Sequence, residues 1–161
     1  MLDSDPATGE IYVLTVNGPG PRVTSSRLVA LDGEGRVVWD VLLGLGYWDA
    51  SISDDLLLFQ GPAVGQGVLL RALHRDDGSR AWTLHSRDFP AGKHALQRFG
   101  PAVTVGDRLV MTVPGGLAVV DPATGSVRHV RTSLKVDQVL PVGDHVLVRA
   151  GAALLVLDLE P

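Results

Sequence analysis

Leu117-Ala-Val-Val-Asp-Pro-Ala-Thr-Gly-Ser-Val-Arg-His129 is an apolar strand, an acidic turn closing on glycine, and a second strand that ends on a ring. The same reading fits Leu28-Val-Ala-Leu-Asp-Gly-Glu-Gly-Arg-Val-Val-Trp39 and Leu70-Arg-Ala-Leu-His-Arg-Asp-Asp-Gly-Ser-Arg-Ala-Trp82. The turn glycines Gly35, Gly78 and Gly125 stand 43 and 47 residues apart. A period of that size with strand-like content alone is the mark of four-stranded blades stacked side by side.

The rest of the chain follows the pattern. Runs of four to seven β-formers are punctuated by Gly, Pro, Asp and Asn, and no stretch sustains a helical period. With the strands of a blade named A to D, the second blade reads Trp48–Ser53, Leu56–Gln60, Val68–Leu73 and Arg80–His85. The third reads Pro101–Val105, Arg108–Val113, Leu117–Val120 and Val127–Arg131. Leu56-Leu-Leu-Phe59 and Ala153-Leu-Leu-Val-Leu157 are continuous apolar runs, which suits sheets covered on both faces. A sandwich or small barrel is the runner-up, and the 43- and 47-residue repeat weighs against it.

The fold expected is therefore all-β: a partial β-propeller of about three and a half four-stranded antiparallel blades, forming a single domain over 1–161. The blades fall at approximately 1–43, 44–86, 99–132 and 135–161. Before Ile11 there is hardly room for an A strand, and Asp158-Leu-Glu-Pro161 stops where a C–D turn begins. Closed propellers have about 4–8 blades. Either further blades or a second chain is expected to complete the ring, and bare blade edges favour self-association.

Composition narrows the function. The chain has 161 residues, 45% of them hydrophobic, and a net charge of −4, which supplies no cationic field for nucleic acid. Lys93 and Lys135 are its only lysines, a bias of composition rather than a binding patch. With no cysteine, disulfides and thiolate metal sites are out of reach. Met1-Leu-Asp-Ser-Asp-Pro lacks the basic-then-apolar order of a signal peptide. The longest apolar run, Ala150–Leu157, falls well short of the ~20 residues that cross a bilayer.

The repeats resemble the pyrroloquinoline-quinone-type (PQQ-like) β-propeller family, whose blades carry Ala-x-Asp-x-x-Thr-Gly-x-x-x-Trp. Ala72, Gly78 and Trp82 match in the second blade, with His74 in the Asp place and Asp77 in the Thr place. Asp121, Thr124 and Gly125 match in the third, with Val119 for Ala and His129 for Trp. In the first, Ala30, Asp32 and Trp39 match across a turn one residue shorter. The resemblance implies that Trp39, Trp82 and His129 wedge between blades while Gly35, Gly78 and Gly125 turn the hairpins.

The family also includes quinone-dependent dehydrogenases, which are eight-bladed and hold PQQ and Ca²⁺ on the central axis. No calcium ligand set maps onto this chain, and the adjacent-cysteine disulfide of those enzymes is impossible here. Other members keep only the propeller and bind proteins or act as sensor domains, some of them outside the cytoplasm. The expectation is a non-catalytic scaffold for a protein or small ligand, with no cofactor. A fragment of a PQQ-dependent dehydrogenase and an extracytoplasmic sensor are the alternatives.

Other chemistry is weakly encoded. Asp32-Gly-Glu-Gly35 and Arg75-Asp-Asp-Gly78 lack the alternating oxygen ligands of a calcium loop and read as hairpin turns. His74, His85, His94, His129 and His145 have no metal-like spacing. No nucleophile elbow, phosphate loop or zinc motif is present. Loop length is more informative. The long connections Asn17–Ser26, Gly61–Gly67 and Ser86–Gly100 are of the B–C and D–A kinds, which leave a blade at the same end. Ser86–Gly100 mixes cations with rings, and Arg87, Phe89, Lys93 and Arg98 are the candidate partner contacts.

Overall fold

The computed structural model describes residues 2–4, 8–17, 25–44, 49–53, 55–61, 67–89, 100–132, 135–143 and 145–158. They form four antiparallel sheets. The first runs β1 (Leu2–Ser4), β2 (Ile11–Asn17), β3 (Ser25–Leu31) and β4 (Val37–Gly44). The second runs β5 (Asp49–Ser53), β6 (Leu56–Gln60), β7 (Val68–His74) and β8 (Arg80–His85). The third holds β9 (Val103–Val105), β10 (Arg108–Val113), β11 (Gly116–Val120) and β12 (Val127–Arg131). The fourth has three strands, β13 (Gln138–Val142), β14 (His145–Ala150) and β15 (Ala153–Asp158). Each sheet is a simple meander, so the fold is a partial β-propeller.

Two features differ from the sequence reading. An A strand does exist before Ile11: β1 is only three residues long and pairs Leu2 with Val13 and Ser4 with Ile11. The long turn after it disguised so short a strand. Conversely, the apolar run in β15 is not covered on both sides, since Leu154 is 61% and Val156 69% exposed. Continuous apolar strands buried along their length do occur, in β6 as expected and also in β10 and β11.

The acidic turns work as local clasps. In the first sheet the Asp32 carboxylate accepts from the amides of Glu34 and Arg36, both at 2.9 Å. In the third the Asp121 carboxylate accepts from Ala123 at 2.9 Å and Thr124 at 3.2 Å, and the Thr124 hydroxyl accepts from the Ser126 amide at 3.2 Å. In the second, where His74 replaces the aspartate, Asp77 takes the threonine's part and accepts from the Ser79 amide at 2.7 Å. Backbone bonds then close the turn: Gly78 donates to His74, as Gly125 does to Asp121. Gly35, Gly78 and Gly125 carry φ of +79°, +70° and +69°.

Contacts divide the chain into two compact units, Met1–Pro62 with Leu70–Thr83, and Ala63–Leu69 with Leu84–Pro161. In the first unit, Tyr12, Leu14 and Leu28 meet Ala50, Ile52, Leu57 and Phe59 across an apolar seam. The Trp39 indole NH donates to the Arg75 carbonyl at 2.8 Å, and its ring covers Gly78 so closely that a Cβ there would sit 2.6 Å from a ring carbon. In the second unit, Val105, Val110, Leu117 and Val119 pack with Val139, Val146 and Val148.

Candidate functional site

Within a meander, the A–B and C–D turns lie at one end of the sheet and the B–C turn at the other. The A–B and C–D turns are short in the third sheet. The long connections belong to the opposite end, and the described part of Ser86–Gly100 begins there. β8 ends at His85 and a single 3-10 turn, Ser86–Asp88, follows. The Asp88 carboxylate accepts from the His85 amide at 2.7 Å, and the Ser86 amide donates to the Gly67 carbonyl at 3.0 Å. That second bond ties the start of the D–A connection to the end of the Gly61–Gly67 loop.

Phe89 then turns inward. It is 4% exposed, and its ring stands edge-on to His129 with centroids 5.3 Å apart. Its burial anchors the connection, so the ring does not face solvent. Arg87 points the other way, with its side chain 64% exposed and 4.0 Å from Asp88. Lys93 and Arg98 lie outside the described residues. His129, exposed on β12, also borders a shallow depression at the tight β10–β11 turn, walled by Pro114, Gly115, Leu117, Val130 and Arg131.

The sequence reading missed a cluster at the first unit's turn end. Arg75 is only 16% exposed; its guanidinium pairs with Glu10 at 2.7 Å and donates to the Tyr12 hydroxyl at 3.2 Å. That hydroxyl in turn donates to Glu10 at 2.6 Å. The Tyr12 and Arg75 bonds hold the Glu10 carboxyl below its usual range, while burial and the neighbouring Glu10 push the Tyr12 phenol up. Thr8, Asp55, His74 and Asp76 line the same recess. The available signal was an arginine placed inside an acidic turn, where solvent would be its ordinary partner. Trp82 is half-buried on β8. Among the described residues, no three His, Asp or Glu side chains converge as a metal site would require.

A family model described as outer membrane protein assembly factor BamB matches residues 3–155. The chain belongs to this PQQ-like family. A search of curated proteins found no match. Among solved structures, BamB from Moraxella catarrhalis superposes with a TM-score of 0.60 at 15% identity, covering 98% of this chain and 49% of that one. The PQQ-like chain thus spans about half the length of that BamB. The computationally designed Ika4 protein matches with a TM-score of 0.55 at 12% identity, over 91% of this chain and 96% of its own. At such identities the likeness concerns the fold alone.

Proposed function

We propose that this PQQ-like propeller is a non-catalytic scaffold that binds a protein partner at the end carrying the long connections. The family match over residues 3–155 supports this reading most directly, because the model's description is that of an assembly factor. Phe89 serves as the anchor of the Ser86–Gly100 connection, and Arg87, Lys93 and Arg98 supply cations suited to carboxylates on the partner. The buried Phe89 ring and the exposed Arg87 beside it give the start of the connection a defined surface, which lowers the ordering cost of binding there.

Photo-cross-linking tests it. A cross-linking side chain at Arg87 or Lys93 should capture one discrete protein in cells, whereas one at Asp107, on the opposite turn end, should not. Equal capture from both positions, or capture from Asp107 alone, would refute the assigned end. Adding PQQ and Ca²⁺ to the purified chain should give no dye reduction; turnover would favour the dehydrogenase alternative.

A further inference from the structure

We propose that the depression at the tight β10–β11 turn is a docking site for an extended acidic segment of a protein partner, which seats one apolar side chain in the hollow and lays a carboxylate on Arg131. This docking rests on the partner-binding end proposed above and names the chemistry selected there. Phe89, His129 and Arg131 all belong to the second compact unit.

The hollow follows from local sequence. Val113-Pro-Gly-Gly-Leu117 turns β10 into β11 with two consecutive residues that carry no side chain. Gly116 admits none, because a Cβ there would collide with the Val130 carbonyl oxygen, and Gly115 at φ +85° disfavours one. What remains is about 170 Å³ with mainly apolar walls from Val113, Pro114, Leu117 and Val130, room for one large side chain. As a B–C turn, it lies at the end from which the Ser86–Gly100 connection starts.

The rim is cationic. Register sets His129 opposite Ala118 and Arg131 opposite Gly116, so the two exposed side chains leave β12 on one face, about 7 Å apart. The His129 ring stands against the buried Phe89, which joins this side of the rim to the Ser86–Gly100 connection. Arg27, Arg36, Arg75, Arg87 and Arg108 each have a carboxylate within 4.0 Å, whereas among the described residues none pairs with Arg131. A cation without a counter-ion beside an apolar hollow selects a carboxylate next to an apolar side chain. In an extended segment, residues two apart face the same way, so an acid two positions from the anchor reaches the rim while the anchor fills the hollow. Charges on an outer strand also discourage stray pairing. That role would weigh Arg128, on the other face of β12, as heavily as Arg131, and it leaves the hollow unused.

A random peptide library displayed with both ends blocked, selected on the purified 161-residue chain, should enrich sequences with an apolar residue two positions from Asp or Glu. A synthetic copy of the commonest sequence then serves as the probe for fluorescence anisotropy. Its affinity should fall at least about fivefold on Arg131→Gln, further on Arg131→Glu, and little on Arg128→Gln. Added salt should weaken it as well. Enrichment of basic or purely apolar sequences, no enrichment at all, or equal losses at Arg128 and Arg131 would overturn the proposal. Should a variant fail to fold by circular dichroism, the sequences selected on the unaltered chain still decide. In cells, a cross-linker at Arg87 that keeps capturing its protein alongside Arg131→Glu would sink this docking site and leave the assigned end standing. Absence of capture from Arg87 in the unaltered chain would tell against the end itself.

Discussion

At the scale of single residues, the Trp39–Arg75–Glu10 group does more than its letters suggest. Trp39 fills space with its ring and satisfies the Arg75 carbonyl with its NH. Trp39→Phe should keep most of the packing and lose about 1 kcal/mol for the hydrogen bond. Trp39→Ala should cost about 2 kcal/mol or more, since the ring is half-buried rather than fully enclosed. Gly78→Ala should cost at least about 1–2 kcal/mol, because its φ of +70° disfavours a side chain and the Trp39 ring already occupies the space. In a chain of this size, about 1 kcal/mol moves the thermal midpoint by roughly 2–4 °C, which calorimetry reads directly. Arg75→Met should lower that midpoint more than Arg36→Met, whose carboxylate pairs are held by a side chain 71% exposed and are screened by water. Equal effects would mean that the partly buried Arg75–Glu10 pair is worth no more than a surface one.

At the scale of elements, turns and strands were legible for different reasons. The strands from Leu56 to Gln60, Arg80 to His85, Arg108 to Val113 and Val127 to Arg131 have the ends read from sequence, because Gly, Asp and Pro bracket them. β4 runs on to Gly44, past the Trp39 that ended the repeat, because a blade's outer strand is longer than its motif. The turns carry a pH dependence. Asp32 sits below the ordinary 3.8, held there first by the Arg36 amide and then by its guanidinium; Asp77 is lowered by Ser79. For Asp121, partial removal from water works against the Thr124 amide and Arg108, yet the net shift is again downward. A carboxylate lowered in the folded chain stabilises it above the unfolded value and ceases to do so as pH falls through the folded one. The thermal midpoint should therefore hold from pH 7 to about 5 and fall below about 4. Because backbone amides supply much of the effect, the fall should persist in high salt. A midpoint unchanged down to pH 3 would contradict the clasp role.

At the scale of the whole molecule, the repeat announced a propeller because every blade must solve the same turn and wedge problem. The candidate site was less legible. Nothing in Ser86–Gly100 distinguishes a phenylalanine that anchors a loop from one that meets a partner, and Phe89 proved to be buried against His129. The Arg75 cluster was invisible because its partners lie more than sixty positions away, as the Glu10 and Tyr12 bonds show. The arginine itself has a last implication. Its place in the turn is held by Gly33 in the first repeat and Pro122 in the third, neither of which has a side chain that can donate to a carboxylate. Modules built to one plan risk docking in the wrong order. An address carried by a single joint, readable by the first module and no other, tells the second whom to follow.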